Sequence, residues 1–315
     1  MSRRRHFRPI PPKRPFKKPP DSTFILLDQF SIEDMKKWAA FKDQILKFHW
    51  DYYNDLAYQR SRIADEIKKS LLGTTQKTFK FSNWQRAVKY KYTLKPLSVA
   101  GSMVDPGGRF NMGDFNPSQF PPFPALYLAG DKDTGLQELL SQKIPLEDKN
   151  SKLDPLDFAL TNRSSITIVS VSGALNSIIN LREPKKLQSF MELIKDFEMP
   201  DSLKETAKKI GLPEPDLIRT VPKLIDCLLA PNWREWPMQF DVPFSSQIFG
   251  QMVAEAGIEG ILFPSKFTDA DCLAVFPQNF DSLSGSFIEL DGEVSSGVNI
   301  RRLEAKTWSE IKTNG

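Results

Sequence analysis

A stretch of 34 residues, from Gly107 to Leu140, brings together residue types that bind phosphate. It opens with two glycines and Arg109, passes through a short apolar run that contains Tyr127, and then reaches Glu138. Glycines let a backbone approach a ligand closely, and a guanidinium can hold a phosphate with two parallel hydrogen bonds. A helix that begins after the apolar run adds N–H donors and positive potential. These residues predict a site for a phosphate-bearing ligand.

A strand and a helix must position these side chains. Residues 125–129 (Ala-Leu-Tyr-Leu-Ala) form a short apolar run, which predicts a buried strand. Thr134 is predicted to cap the next helix, with Gln137 three residues later as its capping-box partner. Glu138 would then lie at about the end of the first helical turn, close to the strand that carries Tyr127.

Other segments of the chain have comparable patterns. Ala87 to Thr93 alternates in part and predicts a strand with Arg86 at its head. Ser245 or Ser246 is predicted to cap a helix that runs to Gly257. Further strands are predicted at residues 165–171, 176–181, 258–264 and 272–276, with two or three helices at 184–232 and an aromatic, proline-rich loop at 231–243.

Residues 31–72 are predicted to be helical, as one long helix or as two helices broken near residues 50–54. Gly73 is a plausible end for this segment. One apolar stripe is predicted, which consists of Ile45, His49, Tyr52, Leu56, Ile63 and Ile67. A lone histidine on such a stripe is far more often a core residue than a ligand. The stripe predicts packing against the next domain or another subunit.

The net charge of +4 comes from the N-terminus. Residues 1–20 hold eight Lys and Arg and no acidic residue, and the rest of the chain has 35 basic against 39 acidic residues. This proline-rich tail is predicted to be disordered, and the alternative interpretation is an arm that binds nucleic acid or an acidic partner. The body has no overall positive charge that would indicate nucleic-acid binding.

Composition excludes several classes of protein. The chain has no apolar run of 18 residues, and its basic start lacks the apolar segment of a secretory signal. Cys227 and Cys272 are too far apart in the sequence to indicate a disulfide framework, and two cysteines with two histidines do not predict a metal site. We therefore expect a reduced, cytoplasmic protein that makes no use of a membrane or a metal.

Several segments of the chain together resemble one known family. They are GGRFN at 107–111, FPALYLA at 123–129, DTGLQE at 133–138, and SSQ at 245–247 followed by GIEGILFPS at 257–265. Over roughly residues 80–285 the chain resembles the RES-domain family, bacterial proteins usually found as the toxin of a RES–Xre toxin–antitoxin pair. The resemblance implies an α/β (α+β) fold similar to the ADP-ribosylating toxins, with small mixed sheets flanked by helices, here joined to an N-terminal helical module.

The resemblance also assigns roles to residues. It implies catalytic roles for Glu138, Arg86, Tyr127, Ser245 and Ser246, and substrate binding by Gly107, Gly108, Arg109 and Asn111. An alignment with a small gap matches the family arginine to Arg86, whereas an ungapped one reaches Lys89, and either serine can match the family serine. In this interpretation the Glu138 carboxylate stabilises a ribose oxocarbenium ion.

The family degrades NAD⁺ at the nicotinamide–ribose bond, so the resemblance implies a toxin or effector that depletes NAD⁺. The sequence leaves open whether phosphate or water accepts the ribose. Transfer of ADP-ribose to a macromolecule and a non-catalytic protein that binds nucleic acid or another protein are the alternatives. The implied partners are NAD⁺, phosphate and an Xre-type antitoxin. The predicted domains are the tail (1–20), a helical module (21–77), the RES domain (78–285, with a helical insert at about 184–232) and a C-terminal extension (286–315).

Overall fold

The computed structural model describes residues 32–140, 166–212, 217–283 and 285–308, with side chains from residue 40 onward. The predicted tail at residues 1–20 lies outside these ranges. The described residues form a mixed α/β fold, which confirms the predicted α+β class. The expectation of small sheets is wrong, because seven strands join in one sheet and two more form a short ribbon.

The bounds of the elements follow the chain. In the described ranges the α-helices are α1 (Ile32–Arg62), α2 (Ala64–Gly73), α3 (Lys132–Leu140), α4 (Gln188–Ile194), α5 (Asp201–Lys209), α6 (Val221–Leu228), α7 (Glu235–Phe240) and α8 (Ser245–Glu255). The strands are β1 (Gln76–Lys89), β2 (Gly107–Gly108), β3 (Asn111–Met112), β4 (Leu126–Ala129), β5 (Ile166–Asn180), β6 (Gly260–Pro264), β7 (Asp271–Val275), β8 (Phe287–Leu290) and β9 (Arg302–Glu304). None of these helices has the length and apolar character needed to cross a membrane.

The main sheet closes on itself. Its strand order is β1-β4-β7-β6-β5-β8-β9, and β1 also pairs with β5, from Gln76 opposite Ile178 to Lys89 opposite Ile166. Strands β1, β4, β7, β6 and β5 therefore form a ring. The register of β1 against β5 shifts close to Asn83, which has a φ of 58°. Such an irregularity bends and twists a strand. One edge of β1 pairs with β5, and Gln85 on its other edge pairs with Ala129 of β4.

The two faces of the sheet support two cores. Side chains alternate along each strand, so that Leu126 and Leu128 of β4 lie in one apolar cluster while Ala129 lies in the other. Helices cover the second face, where Phe249 of α8 and Phe190 of α4 pack against each other at 5.6 Å between ring centroids. Tyr127, which was predicted to contact a ligand, packs against this helix-covered cluster.

Several boundaries differ from those predicted. The N-terminal helical segment breaks at Ile63, not near residues 50–54. Strand β1 begins eleven residues before the predicted start at Ala87, so Arg86 lies inside a strand. The two predicted strands between 165 and 181 are one continuous strand, β5. Helix α7 occupies part of the predicted loop at 231–243. Strands β8 and β9 of the predicted C-terminal extension belong to the main sheet.

His49 is a core residue. It is 9% exposed, and its ring lies 3.9 Å from that of Phe240 and 5.0 Å from that of Trp236, between ring centroids. Burial lowers its pKa from 6.5 to about 4. The His49 ring is therefore neutral in the folded protein at pH 7.

We expect the free energy of unfolding to fall as the pH is lowered from 6.5 towards 4. In this range the unfolded state binds a proton at His49 that the folded state rejects, and the full loss is about 3 kcal/mol. His49→Leu is expected to flatten this part of the profile. Urea denaturation between pH 4 and 7.5 measures both chains, and parallel profiles for the two would contradict the assignment.

Candidate active site

A cavity of about 360 Å³ lies against the helix-covered face of the sheet, next to β4 and α3. Six of the residues selected from the sequence line it: Arg86, Gly107, Gly108, Arg109, Tyr127 and Glu138. Its size falls within the usual range of small-molecule sites, about 300–1,000 Å³. The structure thus brings together residues that are up to 52 positions apart in the chain.

Glu138 projects from the second turn of α3. The helix begins at Lys132, and Asp131 caps it by accepting hydrogen bonds from the backbone N–H of Thr134 at 2.8 Å and from its hydroxyl at 2.7 Å. The prediction that Thr134 is the cap was therefore wrong by three residues. Gly135 faces the sheet, where a β-carbon would lie 3.7 Å from that of Ala129. Helix α3 can therefore lie close to β4 and carry Glu138 to the cavity.

One hydroxyl contacts the Glu138 carboxylate, and three cations lie near enough to interact with its charge. Ser265 donates a hydrogen bond to Glu138 Oε1 at 2.7 Å. Burial lowers the pKa of Arg109 and of Arg234, and in both cases the charge of Glu138 opposes this shift. Burial lowers the pKa of Lys266, Arg109 lowers it further, and Glu138 opposes both effects. The site therefore places one carboxylate among excess positive charge, an arrangement that attracts an anion.

Arg109 is fixed by backbone groups. It is 5% exposed, and its Nη1 donates to the carbonyl oxygens of Leu228 at 3.3 Å and of Ala230 at 2.9 Å. Its guanidinium carbon also lies 5.8 Å from the centroid of the Trp233 ring. Leu228 ends α6 and Ala230 follows it, so a segment of the predicted helical insert holds the arginine of the glycine turn in place.

Tyr127 supports the glycine turn through its hydroxyl. The hydroxyl accepts from the backbone N–H of Phe110 and donates to Asn111 Oδ1, both at 2.9 Å. Asn111 Oδ1 also accepts from the N–H of Gly108 at 3.0 Å. Burial raises the pKa of Tyr127, so the hydroxyl stays protonated and can donate. A β-carbon at Gly108 would lie 2.3 Å from the tyrosine oxygen, and only glycine fits there.

Arg86 and Asn111 are also held by backbone groups. Arg86 donates to the carbonyl oxygens of Pro96 at 2.6 Å, Ser98 at 2.6 Å and Tyr127 at 3.0 Å. Burial lowers its pKa to about 10. Asn111 is fully buried and donates to the carbonyls of its surrounding loop. Both residues shape the wall of the cavity through the backbone that they hold.

The two serines predicted to be catalytic lie elsewhere. Neither Ser245 nor Ser246 is part of the cavity wall around Glu138, and Ser245 lines a different cavity. Ser246 is fully buried. The residue of this segment that contacts the glycine turn is Gln247, whose Nε2 donates to the carbonyls of Pro106 at 2.8 Å and Asn111 at 3.1 Å. Helix α8 is thereby attached to the glycine turn.

Sequence reasoning missed four residues near Glu138: Ser265, Trp233, Arg234 and Lys266. The first was within reach, because Ser265 ends the GIEGILFPS segment and directly follows the buried strand β6. No sequence pattern indicates a role for Trp233 and Arg234, since they lie in a segment whose composition predicts only an aromatic loop. In the described residues no group of three or more His, Cys, Asp and Glu side chains is placed to hold a metal ion.

Comparisons with known proteins add little. Neither the comparison with family models nor that with curated proteins found a match. Among solved structures, the chain is similar to the crystal structure of the M. tuberculosis MbcT-MbcA toxin-antitoxin complex, with 13% identity, a TM-score of 0.37, and coverage of 79% of this chain and 97% of that chain. At this level of similarity neither fold family nor function follows, so the functional argument depends on the site itself.

Proposed function

We propose that the chain cleaves the nicotinamide–ribose bond of NAD⁺ in the cavity around Glu138. The observation that carries the proposal is the Glu138 carboxylate, which is hydrogen-bonded to Ser265 and interacts electrostatically with Arg109, Arg234 and Lys266. A substrate that suits this site has a diphosphate for the cations and a developing positive charge for the carboxylate. NAD⁺ has both, and the family resemblance of the sequence supports the same substrate.

The proposed chemistry is heterolysis of the glycosidic bond. The bonding electrons pass to the nicotinamide nitrogen, which neutralises the positive charge of the ring and releases neutral nicotinamide. The positive charge moves to the ribose, where Glu138 stabilises the oxocarbenium ion electrostatically and through the ribose hydroxyls. The hydroxyl of Ser265 orients the carboxylate. Attack by a phosphate oxygen gives ADP-ribose 1-phosphate, and attack by water gives ADP-ribose and a proton.

The cations have a separate task. Arg109 is held rigidly by two carbonyls, so it can present its remaining N–H groups to a phosphate without losing conformational freedom. Arg234 follows Trp233 in the same segment, and its guanidinium carbon lies 4.8 Å from the centroid of that ring. These two arginines are proposed to bind the diphosphate while Glu138 acts at the ribose.

The test is to follow NAD⁺ with purified protein, with and without phosphate, and to identify the products by mass spectrometry. Nicotinamide release by the wild-type chain supports the proposal, and the second product distinguishes phosphate from water as the acceptor. With NAD⁺ that is radiolabelled in its ADP-ribose part, label that appears on a macromolecule would favour ADP-ribose transfer. NAD⁺ that persists under every condition would contradict the proposal.

An Xre-type antitoxin, which the resemblance implies, belongs to the same proposal and is expected to suppress NAD⁺ loss when it is added.

Arg234→Gln is expected to raise the KM for NAD⁺ by about 10- to 100-fold with a smaller effect on kcat. The reason is that a hydrogen bond to a charged group contributes about 1.5–3 kcal/mol. Initial rates over a range of NAD⁺ concentrations measure the change. Arg62→Gln, an exposed arginine on α1, is the matched control. An unchanged KM in Arg234→Gln would remove this residue from diphosphate binding.

A further inference from the structure

A second cavity, of about 720 Å³, lies among the helices. It shares no lining residue with the cavity around Glu138. Helix α8 runs between the two, because Gln247 is bonded to the glycine turn whereas Ile248 and Met252 line the second cavity. The walls are mostly aliphatic and aromatic, and include Ile45, Phe48, Phe190, Leu224, Trp236 and Phe249. This cavity is therefore suited to a hydrocarbon ligand.

Arg60 gives the cavity a single charged point. Of the described residues that line it, none has a carboxylate, and Arg60 is the one side chain that is charged at neutral pH. Burial lowers the pKa of Arg60, and its partner in this region is the neutral hydroxyl of Tyr53. A half-buried cation that has no acidic partner among the described residues favours an anionic group on a ligand.

His49 gives the cavity a second polar point. It is 9% exposed and lines the cavity, and its ring makes no hydrogen bond with the described residues. Nδ1 is enclosed by the protein, so Nε2 is the ring nitrogen that a ligand can reach. A half-buried ring nitrogen without a partner favours a ligand that supplies the missing hydrogen bond. Burial keeps the ring neutral at pH 7, so the group that it binds need not be charged.

The spacing of these two points fixes the shape of the ligand. His49 and Arg60 are both on α1, eleven residues apart, so they lie on the same face and about 16 Å apart along the helix axis. We propose that this cavity binds an elongated apolar carboxylate with a hydroxyl at its far end, of the ω-hydroxy fatty acid type. The carboxylate lies at Arg60, the hydrocarbon chain follows α1, and the hydroxyl reaches His49.

Calorimetric titration of the full-length chain at pH 7.5 with three probes of equal length tests this proposal. 12-Hydroxydodecanoate is expected to bind at one site, and more tightly than dodecanoate, which lacks the hydroxyl, or 1,12-dodecanediol, which lacks the carboxylate. Arg60→Gln is expected to weaken 12-hydroxydodecanoate about tenfold or more and to leave the diol unchanged. His49→Leu is expected to remove the advantage of 12-hydroxydodecanoate over dodecanoate.

Two further variants serve as controls. Ile248→Trp, which fills the cavity, is expected to abolish binding of all three probes, and Arg62→Gln on the exposed side of α1 is expected to change none. Thermal unfolding of each variant establishes that it is folded. Absence of saturable binding, or equal binding of 12-hydroxydodecanoate to the wild-type chain and Arg60→Gln, would overturn the proposal. None of the substituted residues lines the cavity around Glu138, so the binding measurement does not depend on NAD⁺ cleavage.

Discussion

Glu138→Gln is expected to reduce the rate of NAD⁺ cleavage by about 10²–10³-fold and to leave the fold intact. The amide has the shape of the carboxylate, and its oxygen can still accept the hydrogen bond from Ser265. It carries no charge, so it cannot stabilise the positive charge that develops on the ribose. The loss is expected in kcat, because the charge appears only in the transition state.

The same variant separates catalysis from binding. Arg109, Arg234 and Lys266 remain in this variant. Because the substitution removes the one negative charge among them, it removes a repulsion, and the anionic diphosphate is expected to bind at least as tightly. We therefore expect an unchanged or lower KM for NAD⁺. Glu205→Gln, an exposed glutamate on α5, is the control and is expected to retain full activity. If Glu138→Gln turned over NAD⁺ at the wild-type rate, the carboxylate would have no role in the reaction.

Local patterns predicted the elements that carry the site. The apolar run at 125–129 became β4, the segment after it became α3, and the strands after Gly257 lie where the sequence placed them. These elements are short and strongly patterned, so their type depends mainly on nearby residues. The sequence does not distinguish which residue caps α3, because Asp131 and Thr134 are both good capping residues. The structure uses them together.

Contacts between distant segments were harder to predict. Ser265 reaches Glu138 across 127 positions, and no local periodicity reports such a pairing. The serines at the start of α8 were chosen because their residue type fits both a cap and an anion site. The side chain that matters there is Gln247, whose role depends on the approach of α8 to the glycine turn. The closure of the sheet through β1 and β5 has the same origin, since strand pairing is a long-range choice.

Gly250→Ala is expected to destabilise the chain by about 1–3 kcal/mol or more, although alanine is the better helix former by about 1 kcal/mol. A β-carbon at this position of α8 would lie 2.0 Å from the carbonyl oxygen of Phe110 and 2.6 Å from its carbonyl carbon. Phe110 cannot retreat, because its ring is fully buried and packs at 4.9 Å between centroids against Phe263. Helix α8 must therefore move away from the glycine turn.

The sign of the change in the free energy of unfolding is informative, because helix propensity predicts that Gly250→Ala is stabilising and packing predicts that it is destabilising. Gly73→Ala is the matched control: it ends α2, nothing lies within 4 Å of a β-carbon there, and the expected change is neutral or stabilising by up to about 1 kcal/mol. Urea denaturation of both variants measures the two signs. A stabilised Gly250→Ala would contradict the close contact of α8 with the turn. If the contact is as described, the variant also weakens the bonds of Gln247 to that turn and displaces Arg109, so NAD⁺ cleavage falls along with stability.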